Sequence, residues 1–419
     1  MKKITVAIIG VGNRGGYAYG RLINKEKDLF DIVAICDLKQ ERLDFYEELF
    51  EVKKENLFLD EDEFFKERRA DLLIIATPDD CHVRHTLKAF NVGYDIMVEK
   101  PVCETREDCE KLLAAQKKAG SKALVCHVLR YAPAFTKTKE LLDAGTIGRL
   151  VAINGTEQVA YWHQAHSYVR GIWRNRKGAA PMILAKCCHD LDLFQYYTDS
   201  TCVSVSSVGD LTYFTKENAP EGAAERCVDC PLAEKCPYDA QKFYIDKWLV
   251  NKPAFMAFPY GALASPPLTE EKLRDAVQNG PYGRCVFHCD NDVVDHQITQ
   301  MTFANGVKAT LTMTGLTATG GRRYVFHGTE GEIRLDEEKD ELFIRRFGEE
   351  PQIIDISVLA ESGYGHGGGD QGLINDLYGM ITGTSTPKTS LQISIESHLM
   401  GVCAEESRLK GGELVYLRK

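Results

Sequence analysis

The feature that most constrains the fold is a glycine-rich turn near the start of the chain. Residues 3–9 alternate into a short buried strand, and Gly10, Gly12 and Gly15 follow it as G-x-G-x-x-G, just as a helix-like stretch begins near Asn13. The first glycine permits a tight turn, the second lets backbone approach a pyrophosphate, and the third lets helix and strand pack closely. The phosphates would bind free N–H groups at the helix N-terminus. Alone the motif is weak, because glycines also mark plain turns.

A carboxylate at the end of the next strand strengthens this interpretation. Residues 32–36 form a second predicted strand, and Asp37 follows it, 22 residues after Gly15. A carboxylate in this place binds a ribose 2′-hydroxyl and repels a 2′-phosphate, which favours NAD over NADP. Lys39 and Arg42 keep NADP open as an alternative. A helix cap for the segment from residue 40 onward is the structural alternative for Asp37.

Strands and helices then alternate through the first third of the chain. The predicted strands cover 71–76, 95–98 and 122–126, and the predicted helices cover 82–91 and 106–119. Such alternation is typical of a doubly wound parallel sheet. Ligands bind beyond the carboxyl ends of its strands. Those ends carry Thr77-Pro78, Glu99-Lys100-Pro101 and His127.

Several of these motifs together resemble one family. ATPDDCH (76–82) after the third strand, EKP (99–101) after the fourth, the segment 129–150 and GTEGEI (328–333) are similar to those of the Gfo/Idh/MocA oxidoreductases, over nearly the whole chain. The resemblance implies a Rossmann domain followed by an open, mainly antiparallel sheet whose other face often supports oligomers, hence a homodimer or homotetramer. It also implies NAD(P) chemistry on sugars, polyols or related compounds.

The resemblance places the EKP lysine, Lys100, beside nicotinamide and substrate, with Glu99 and Pro101 holding it and the Lys100–Pro101 bond often cis. A lysine ammonium there can polarise an alcohol or carbonyl oxygen. The alternative is an exposed lysine before a proline turn. The residues predicted to contact the cofactor are Gly10, Gly12, Asn13, Arg14, Asp37, Thr77, Pro78, His82, Glu99 and Lys100.

The pattern changes near residue 126, so we predict an NAD-binding domain over 1–125 and an α+β substrate-binding and oligomerisation domain over 126–419. The second domain shows runs of strands joined by turns, which favour antiparallel pairing. Asn305-Gly306 between two of them is a strong hairpin signal. The predicted fold class is therefore α/β, with a Rossmann sheet plus an α+β domain built on an open sheet.

Two segments of the second domain concentrate polar chemistry. Residues 161–175 contain predicted substrate ligands, because aromatic rings stack on sugar CH faces while Arg and His bind hydroxyls or an anionic group. Arg170 and Arg174 there, with Arg176 just beyond, stand against the acidic background of the chain and favour an anionic substituent. The alternatives are a structured surface loop, pairing with acidic residues, or contact with another subunit. The predicted substrate ligands are His163, His166, Arg170, Trp173 and Arg174, together with His366 from GHGGGDQ (365–371), where Asp370 is a candidate helix cap.

The second segment, residues 184–197, resembles the family signature that ends in H-D-x-D on a helix. His189 aligns with the family's histidine and would take the hydroxyl proton as hydride leaves carbon. Asp192, one turn on, would fix its tautomer or the helix. The family pattern has an aspartate where this chain has Ala185, so Lys186 is a candidate replacement as substrate ligand or second base. A satisfied core histidine is the alternative for His189.

A cysteine cluster follows. Cys227, Cys230 and Cys236 form C-x2-C-x5-C, and Cys285 is a fourth candidate. Because tetrahedral zinc needs four ligands and C-x2-C supplies two, we predict a structural zinc site. An iron–sulfur cluster or reduced thiols without metal are the alternatives.

Composition excludes other classes of protein. The 419 residues are 44% hydrophobic and carry a net charge of −10, which argues against disorder and against a broad nucleic-acid footprint. There is no apolar run of about 18 residues and no signal peptide, so we expect a cytoplasmic protein without membrane contact. The expected activity is an NAD-dependent dehydrogenase acting on a secondary alcohol of a sugar. The alternatives are an NAD-dependent glycosidase that works by transient C3 oxidation, and a binding protein on an inactive fold.

Overall fold

A computed structural model describes residues 3–252, 257–359 and 366–418. They form a six-stranded parallel sheet and a nine-stranded sheet, with helices packed on both. The predicted fold class is confirmed. In the described part of the chain, no helix is long and apolar enough to cross a membrane.

The first sheet has the strand order β3-β2-β1-β4-β5-β6, with every pair parallel. Leu72–Ile75 is buried along its whole length, as expected for a strand covered on both faces. Its strands are β1 (Ile4–Ile9), β2 (Phe30–Cys36), β3 (Leu57–Phe58), β4 (Leu72–Ile75), β5 (Asp95–Val98) and β6 (Ala123–Val125). Its helices are α1 (Arg21–Lys25), α2 (Gln40–Phe50), α3 (Glu61–Phe64), α4 (His82–Val92) and α5 (Arg106–Ala119), and a π-helical turn, Asn13–Gly20, precedes α1.

The second sheet has the order β14-β13-β12-β11-β7-β10-β9-β8-β15. Its neighbouring strands are antiparallel except β7 and β10, which run parallel. The Asn305-Gly306 turn joins β9 to β10 as predicted, with Gly306 at φ 92°. Its strands are β7 (Leu150–Ala160), β8 (Cys202–Asp210), β9 (His296–Phe303), β10 (Lys308–Thr317), β11 (Gly321–Gly328), β12 (Gly331–Asp336), β13 (Glu341–Arg346), β14 (Gln352–Asp355) and β15 (Val415–Tyr416).

Helices connect the two sheets. The last helix places Leu391 and Ile395 in the core of the first sheet, and the Val102 N–H donates to His398 Nε2 at 2.9 Å, so the end of the chain returns to the first domain. The helices that follow the first sheet are α6 (Pro133–Asp143), α7 (Tyr161–His163), α8 (Met182–Ala185), α9 (Cys188–Thr198), α10 (Lys247–Asn251), α11 (Tyr260–Leu263), α12 (Glu270–Gln278), α13 (Gly369–Thr382) and α14 (Leu391–Leu409).

A long insertion separates β8 from β9. It spans residues 211–295, carries α10, α11 and α12, and has a small core of its own around Tyr244, Leu273 and Val277. The sequence predicted the strands on either side of the insertion but not its helices. Its position beside segment 161–175 determines the role of several predicted site residues.

Candidate active site

The glycine-rich turn has the geometry needed to hold a dinucleotide. Gly10 has φ +89°, and a Cβ there would lie 2.5 Å from the Ala76 carbonyl oxygen. A Cβ on Gly15 would lie 2.1 Å from the Gly10 oxygen, so turn and helix touch. At Gly12 the nearest atom to a Cβ is Arg42 Nη1 at 3.4 Å, which leaves the backbone open to a phosphate. These residues fit a bound dinucleotide.

Asp37 lies at the end of β2, where a ribose would bind. It is 8% exposed, and its carboxylate accepts hydrogen bonds from the Lys39 N–H at 3.0 Å and from Arg42 Nη1 at 3.3 Å. It does not cap α2, which begins at Gln40 without a side-chain cap. The helix-cap alternative for Asp37 is therefore excluded.

His82 was predicted to contact the cofactor, and the structure corrects this. The imidazole is 1% exposed and lies between two carbonyls, with Nδ1 2.7 Å from Pro101 O and Nε2 2.8 Å from Thr77 O. It therefore ties together the loops after β4 and β5, and with them the backbone beside Pro78. Thr77 itself is half-buried, with its hydroxyl 3.0 Å from His85 Nδ1.

Half-buried Arg14 and buried Glu99 form a charged pair close to Lys100. Arg14 donates to Glu99 at 2.8 Å and to Asp370 at 2.8 Å, and the Tyr19 hydroxyl donates to Glu99 at 2.6 Å. Burial opposes ionisation of Glu99, but Arg14 and Lys100 hold its pKa below the ordinary value. Because Arg14 is engaged by two carboxylates, it joins the glycine-rich turn to α13. Asp370 accordingly does not cap α13, whose N-cap is Gly368.

Lys100 reaches into the space between the two domains. The Lys100–Pro101 bond is cis, the Lys100 N–H donates to Glu99 at 3.0 Å, and Lys100 Nζ donates to the Ala185 carbonyl at 2.8 Å. That hydrogen bond is consistent with the holding role predicted for Glu99. The ammonium group is thereby fixed beside α8 and α9, where the candidate base lies.

His189 lies on α9 close to this ammonium. It is 7% exposed, and its Nδ1 is buried with no hydrogen-bond partner in the described part of the chain. Burial, reinforced by Lys100 and Arg322, holds the pKa of His189 well below its usual value. The ring is therefore neutral near pH 7 and able to accept a proton.

Asp192 does not orient His189, contrary to the expectation from its spacing. Its carboxylate accepts from Arg130 Nε at 2.6 Å and from Nη2 at 2.8 Å. The guanidinium engages both carboxylate oxygens, and His127 Nε2 lies 3.9 Å from Asp192 Oδ1. Asp192 is therefore not placed to fix the His189 tautomer, and its pair with Arg130 agrees with the other predicted role, holding the helix.

Lys186 lies beside a carboxylate that the sequence analysis missed. Its Nζ is 3.1 Å from Glu157 Oε1, and Arg322 lies 2.7 Å from Glu157 Oε2 and 2.9 Å from Asp190. Burial raises the pKa of Glu157 against the pull of Arg322 and Lys186. Glu157 is 1% exposed at an inward position of β7, between the buried residues Gly155 and Val159. A charge at an inward position of a strand was the signal available in the sequence.

Two further histidines approach this group. His163 is half-buried, and burial together with Lys186 lowers its pKa well below the usual value. The His366 ring centroid is 6.2 Å from that of His189, and its Nδ1 is 3.3 Å from Asp370. The described part of GHGGGDQ starts at His366, so Gly365 lies outside the described residues.

Models of one protein family match both halves of the chain. The NAD-binding Rossmann domain of the Gfo/Idh/MocA oxidoreductases matches residues 4–127, and the C-terminal alpha/beta domain of the same family matches residues 139–408. The chain belongs to the Gfo/Idh/MocA oxidoreductase family.

Individual members of the family share low sequence identity with this chain. The oxidoreductase YteT of Bacillus subtilis is 26% identical over 335 residues, which are 76% of this chain and 74% of YteT. Inositol 2-dehydrogenase of Salmonella typhimurium is 26% identical over 157 residues, only 45% of its length. A levoglucosan dehydrogenase solved with NADH and L-sorbose superposes with a TM-score of 0.73 at 19% identity, covering 100% of both chains. An Agrobacterium radiobacter oxidoreductase solved with NAD+, L-tartaric acid and magnesium gives 0.71 at 14% identity, covering 99% of both chains.

Within this family member, Arg170 supports the insertion and is not placed to bind substrate. Its side chain is 2% exposed, Nε donates to Arg284 O at 2.7 Å, and Nη2 donates to Tyr238 O at 2.8 Å. Nη2 also lies 3.3 Å from Cys227 Sγ. The prediction for Arg170 is wrong because its buried guanidinium donates to the main-chain carbonyls of residues 238 and 284.

Its neighbours in segment 161–175 are engaged in similar ways. His166 is 1% exposed, stacks on Tyr282 and lies 2.7 Å from the Tyr244 hydroxyl, and burial lowers its pKa to about 3. Arg174 Nε donates to Asp290 at 2.8 Å. The buried contacts of His166 correct its predicted substrate role. The Arg174–Asp290 pair matches the alternative in which the arginines pair with acidic residues, and the substrate role of Arg174 stays a prediction. Trp173 Nε1 donates to Asp79 at 2.9 Å, which fastens the segment to the loop after β4.

The predicted zinc site is not formed. Within 3–252, 257–359 and 366–418, no group of three or more His, Cys, Asp or Glu side chains is placed to hold a metal ion. Cys227 is buried beside the Arg170 guanidinium, and Cys285 is half-buried nearby. A permanent cation among the thiols opposes a divalent metal there. The correction applies to all four predicted ligands, Cys227, Cys230, Cys236 and Cys285.

Proposed function

We propose that this chain is an NAD-dependent oxidoreductase that transfers hydride between the cofactor and a secondary alcohol of a sugar or polyol. The observation that carries the proposal is the placement of Lys100 and His189. The ammonium is held at 2.8 Å from Ala185 O, beside a buried histidine with a lowered pKa, at the strand edge that also holds the glycine-rich turn. Relatives named for inositol support a polyhydroxylated substrate.

Lys100 binds and polarises the reacting oxygen. An ammonium group has three N–H donors, and one of them is used by Ala185 O. A second would donate to the substrate oxygen and stabilise negative charge as it develops there. When bound, nicotinamide supplies the hydride acceptor or donor at its C4 position.

His189 takes the hydroxyl proton. A neutral imidazole accepts a proton through a ring nitrogen, and the lowered pKa keeps the ring neutral to below pH 6.5. Burial also excludes water from the proton acceptor. In the reverse direction the protonated ring returns the proton to the carbonyl oxygen.

A redox-neutral reaction is the second candidate. Lys186 and Glu157, 3.1 Å apart, add a second base to the site, as a reaction with transient C3 oxidation, elimination of the anomeric group, water addition and re-reduction would require. One relative, 23% identical over 209 residues, is named 2,7-anhydro-N-acetylneuraminate hydratase. That name describes addition of water.

Two detections on the same substrates separate the candidates. Wild-type enzyme is incubated with NAD and myo-inositol, scyllo-inositol, levoglucosan, common aldoses and 4-nitrophenyl glycosides. Accumulation of NADH supports the dehydrogenase, whereas release of 4-nitrophenol without NADH supports the redox-neutral reaction. Turnover of neither group, despite tight NAD binding, would favour the binding-protein alternative.

Three finer proposals accompany the reaction. The Asp37 carboxylate favours NAD, although its partner Arg42 keeps NADP as the alternative. Homo-oligomers would form through the outer face of the nine-stranded sheet, where Val208, Ile298 and Ile353 are 50%, 44% and 61% exposed; light scattering would measure the mass. A cytoplasmic location remains a prediction.

A further inference from the structure

A cavity of about 610 Å³ lies between the insertion and the first domain. We call it the interdomain cavity. Lys39 and Glu41 line it on the side of the first domain, Ile172 lines it from segment 161–175, and Lys272 and Ala276 line it from α12. Its volume falls within the roughly 300–1,000 Å³ typical of small-molecule pockets. Hydride chemistry at Lys100 and His189 does not use it.

The interdomain cavity lies next to Asp37, the predicted ribose ligand. The Lys39 N–H donates to Asp37 at 3.0 Å, so this wall is two residues from the ribose ligand. A dinucleotide that lies with its pyrophosphate on the glycine-rich turn and a ribose on Asp37 directs its adenosine half past the end of β2. The cavity is in that direction.

The cavity walls suit a flat heterocycle. Ile172, which lines the cavity, is 50% exposed although its side chain is apolar. An apolar side chain in the wall of a pocket offers a bound ligand a contact surface. The rest of the lining is mixed: Ala262, Leu263, Ala264, Ala276, Pro281 and Tyr282 are apolar, and Arg174, Ser265, Asp275 and Asn279 supply polar groups that could bond the heterocycle's nitrogens.

Contacts between the domains hold this wall in place. Lys272 Nζ is 3.6 Å from Glu41 Oε2, which joins α12 to α2 across the cavity. Trp173, next to Ile172, donates to Asp79 of the first domain at 2.9 Å. Arg170 of the same segment donates to Tyr238 O and so holds the insertion against segment 161–175.

We propose that the insertion is a cofactor-retaining cover: its α12 face and Ile172 enclose the adenosine half of bound NAD and slow its release. The proposal rests on the NAD binding of the proposed function. Retention would suit a redox-neutral cycle, in which the same cofactor is reduced and reoxidised without leaving.

The test compares NADH with reduced nicotinamide mononucleotide, which lacks adenosine. Ala276→Phe fills the interdomain cavity from α12, and Gln278→Phe, at an exposed position of the same helix, is the matched control. Affinity is measured by fluorescence titration and release by stopped-flow displacement. Ala276→Phe should weaken NADH binding at least tenfold and leave mononucleotide binding within twofold, while Gln278→Phe changes neither.

A second pair of variants tests the Lys272–Glu41 ion pair across the cavity. Lys272→Ala should accelerate NADH release two- to fivefold, whereas Arg274→Ala on the same helix should not, because Arg274 pairs with Glu270 on an exposed face. Exposed ion pairs contribute little, so this effect is small. Thermal melts of all four variants show that they are folded.

The outcomes separate the two proposals. Unchanged NADH binding in Ala276→Phe, or equal weakening of NADH and the mononucleotide, overturns the covering role and leaves the proposed function standing. Failure of the wild-type protein to bind NADH at all overturns the proposed function itself.

Discussion

Two regions of this molecule are rich in chemically active residues, but only one of them forms the centre of the site. The strand ends of the first domain carry Lys100 on a loop held by Glu99 and His82. Segment 161–175 carries more histidines and arginines, yet Arg170 and His166 face the insertion and are buried there. Residue type alone therefore does not locate an active site; the backbone element that presents the residue does.

The physical difference lies in what each side chain must satisfy. In the first region the Lys100 ammonium donates to the Ala185 carbonyl, and an ammonium group has two further N–H donors to offer a ligand. In the second region the insertion presents carbonyls at residues 238 and 284 that need donors, and the Arg170 guanidinium supplies them. The same residue type can serve either need, so a sequence pattern does not distinguish them.

The largest expected effect is at Lys100. Lys100→Met removes the oxygen-polarising donor, and kcat should fall by roughly 10²–10⁴ with the Kd for NADH within threefold of wild type. Lys137→Met, at an exposed lysine that pairs with Glu140, serves as the control. Steady-state kinetics and fluorescence titration measure the two quantities. Loss of less than fivefold in kcat would contradict the role.

Arg170→Met and Arg174→Met should differ in how much they lower the free energy of unfolding. Arg170→Met leaves two buried carbonyls without donors and should cost about 3 kcal/mol of unfolding free energy. Arg174→Met loses a part-exposed ion pair and should cost under about 1 kcal/mol. Urea unfolding measures both. Equal costs would contradict the difference between a buried guanidinium that serves two carbonyls and one in a part-exposed ion pair.

His189 should set the acid limb of the reaction. The neutral ring is the active base, and its lowered pKa places the loss of kcat/KM for alcohol oxidation below pH 6.5, about tenfold per pH unit. His189→Asn should lower kcat roughly 100-fold and abolish that limb. A pH–rate profile of both proteins checks this. An unchanged limb in the variant would assign it to another group.

The smallest effect is expected at the ribose. Asp37→Ala removes one hydrogen-bonding carboxylate and should weaken NAD about tenfold, with NADP weakened less or improved, since Arg42 is freed. Asp44→Ala, one turn along α2 and paired with Gln40, is the control. Isothermal titration with both cofactors measures the ratio. Unchanged NAD affinity would remove the ribose role.

Much of the first region was predictable because its motifs encode backbone geometry. The G-x-G-x-x-G turn, Asp37 and the position of Lys100 follow from strand ends that meet at one edge of a sheet. Helix α5 has the predicted bounds, 106–119.

The polar contacts around Lys186 were less predictable because their partners are distant along the chain. Glu157, Lys186 and Arg322 come from β7, the end of α8 and β11, and only the assembled sheet brings them together. His82 shows the same limit: sequence placed it at the right edge but could not show that two carbonyls already occupy its ring nitrogens.

The most direct test of the central claim follows the hydride itself. The sugar found to turn over is deuterated at its carbinol carbon and mixed with enzyme and NAD, and the cofactor is analysed by mass spectrometry and by NMR at nicotinamide C4. Wild-type enzyme should place deuterium at C4 in a single turnover, and Lys100→Met should place almost none in the same time. Deuterium appearing only in water, or equal labelling of C4 by the two proteins, would contradict the account.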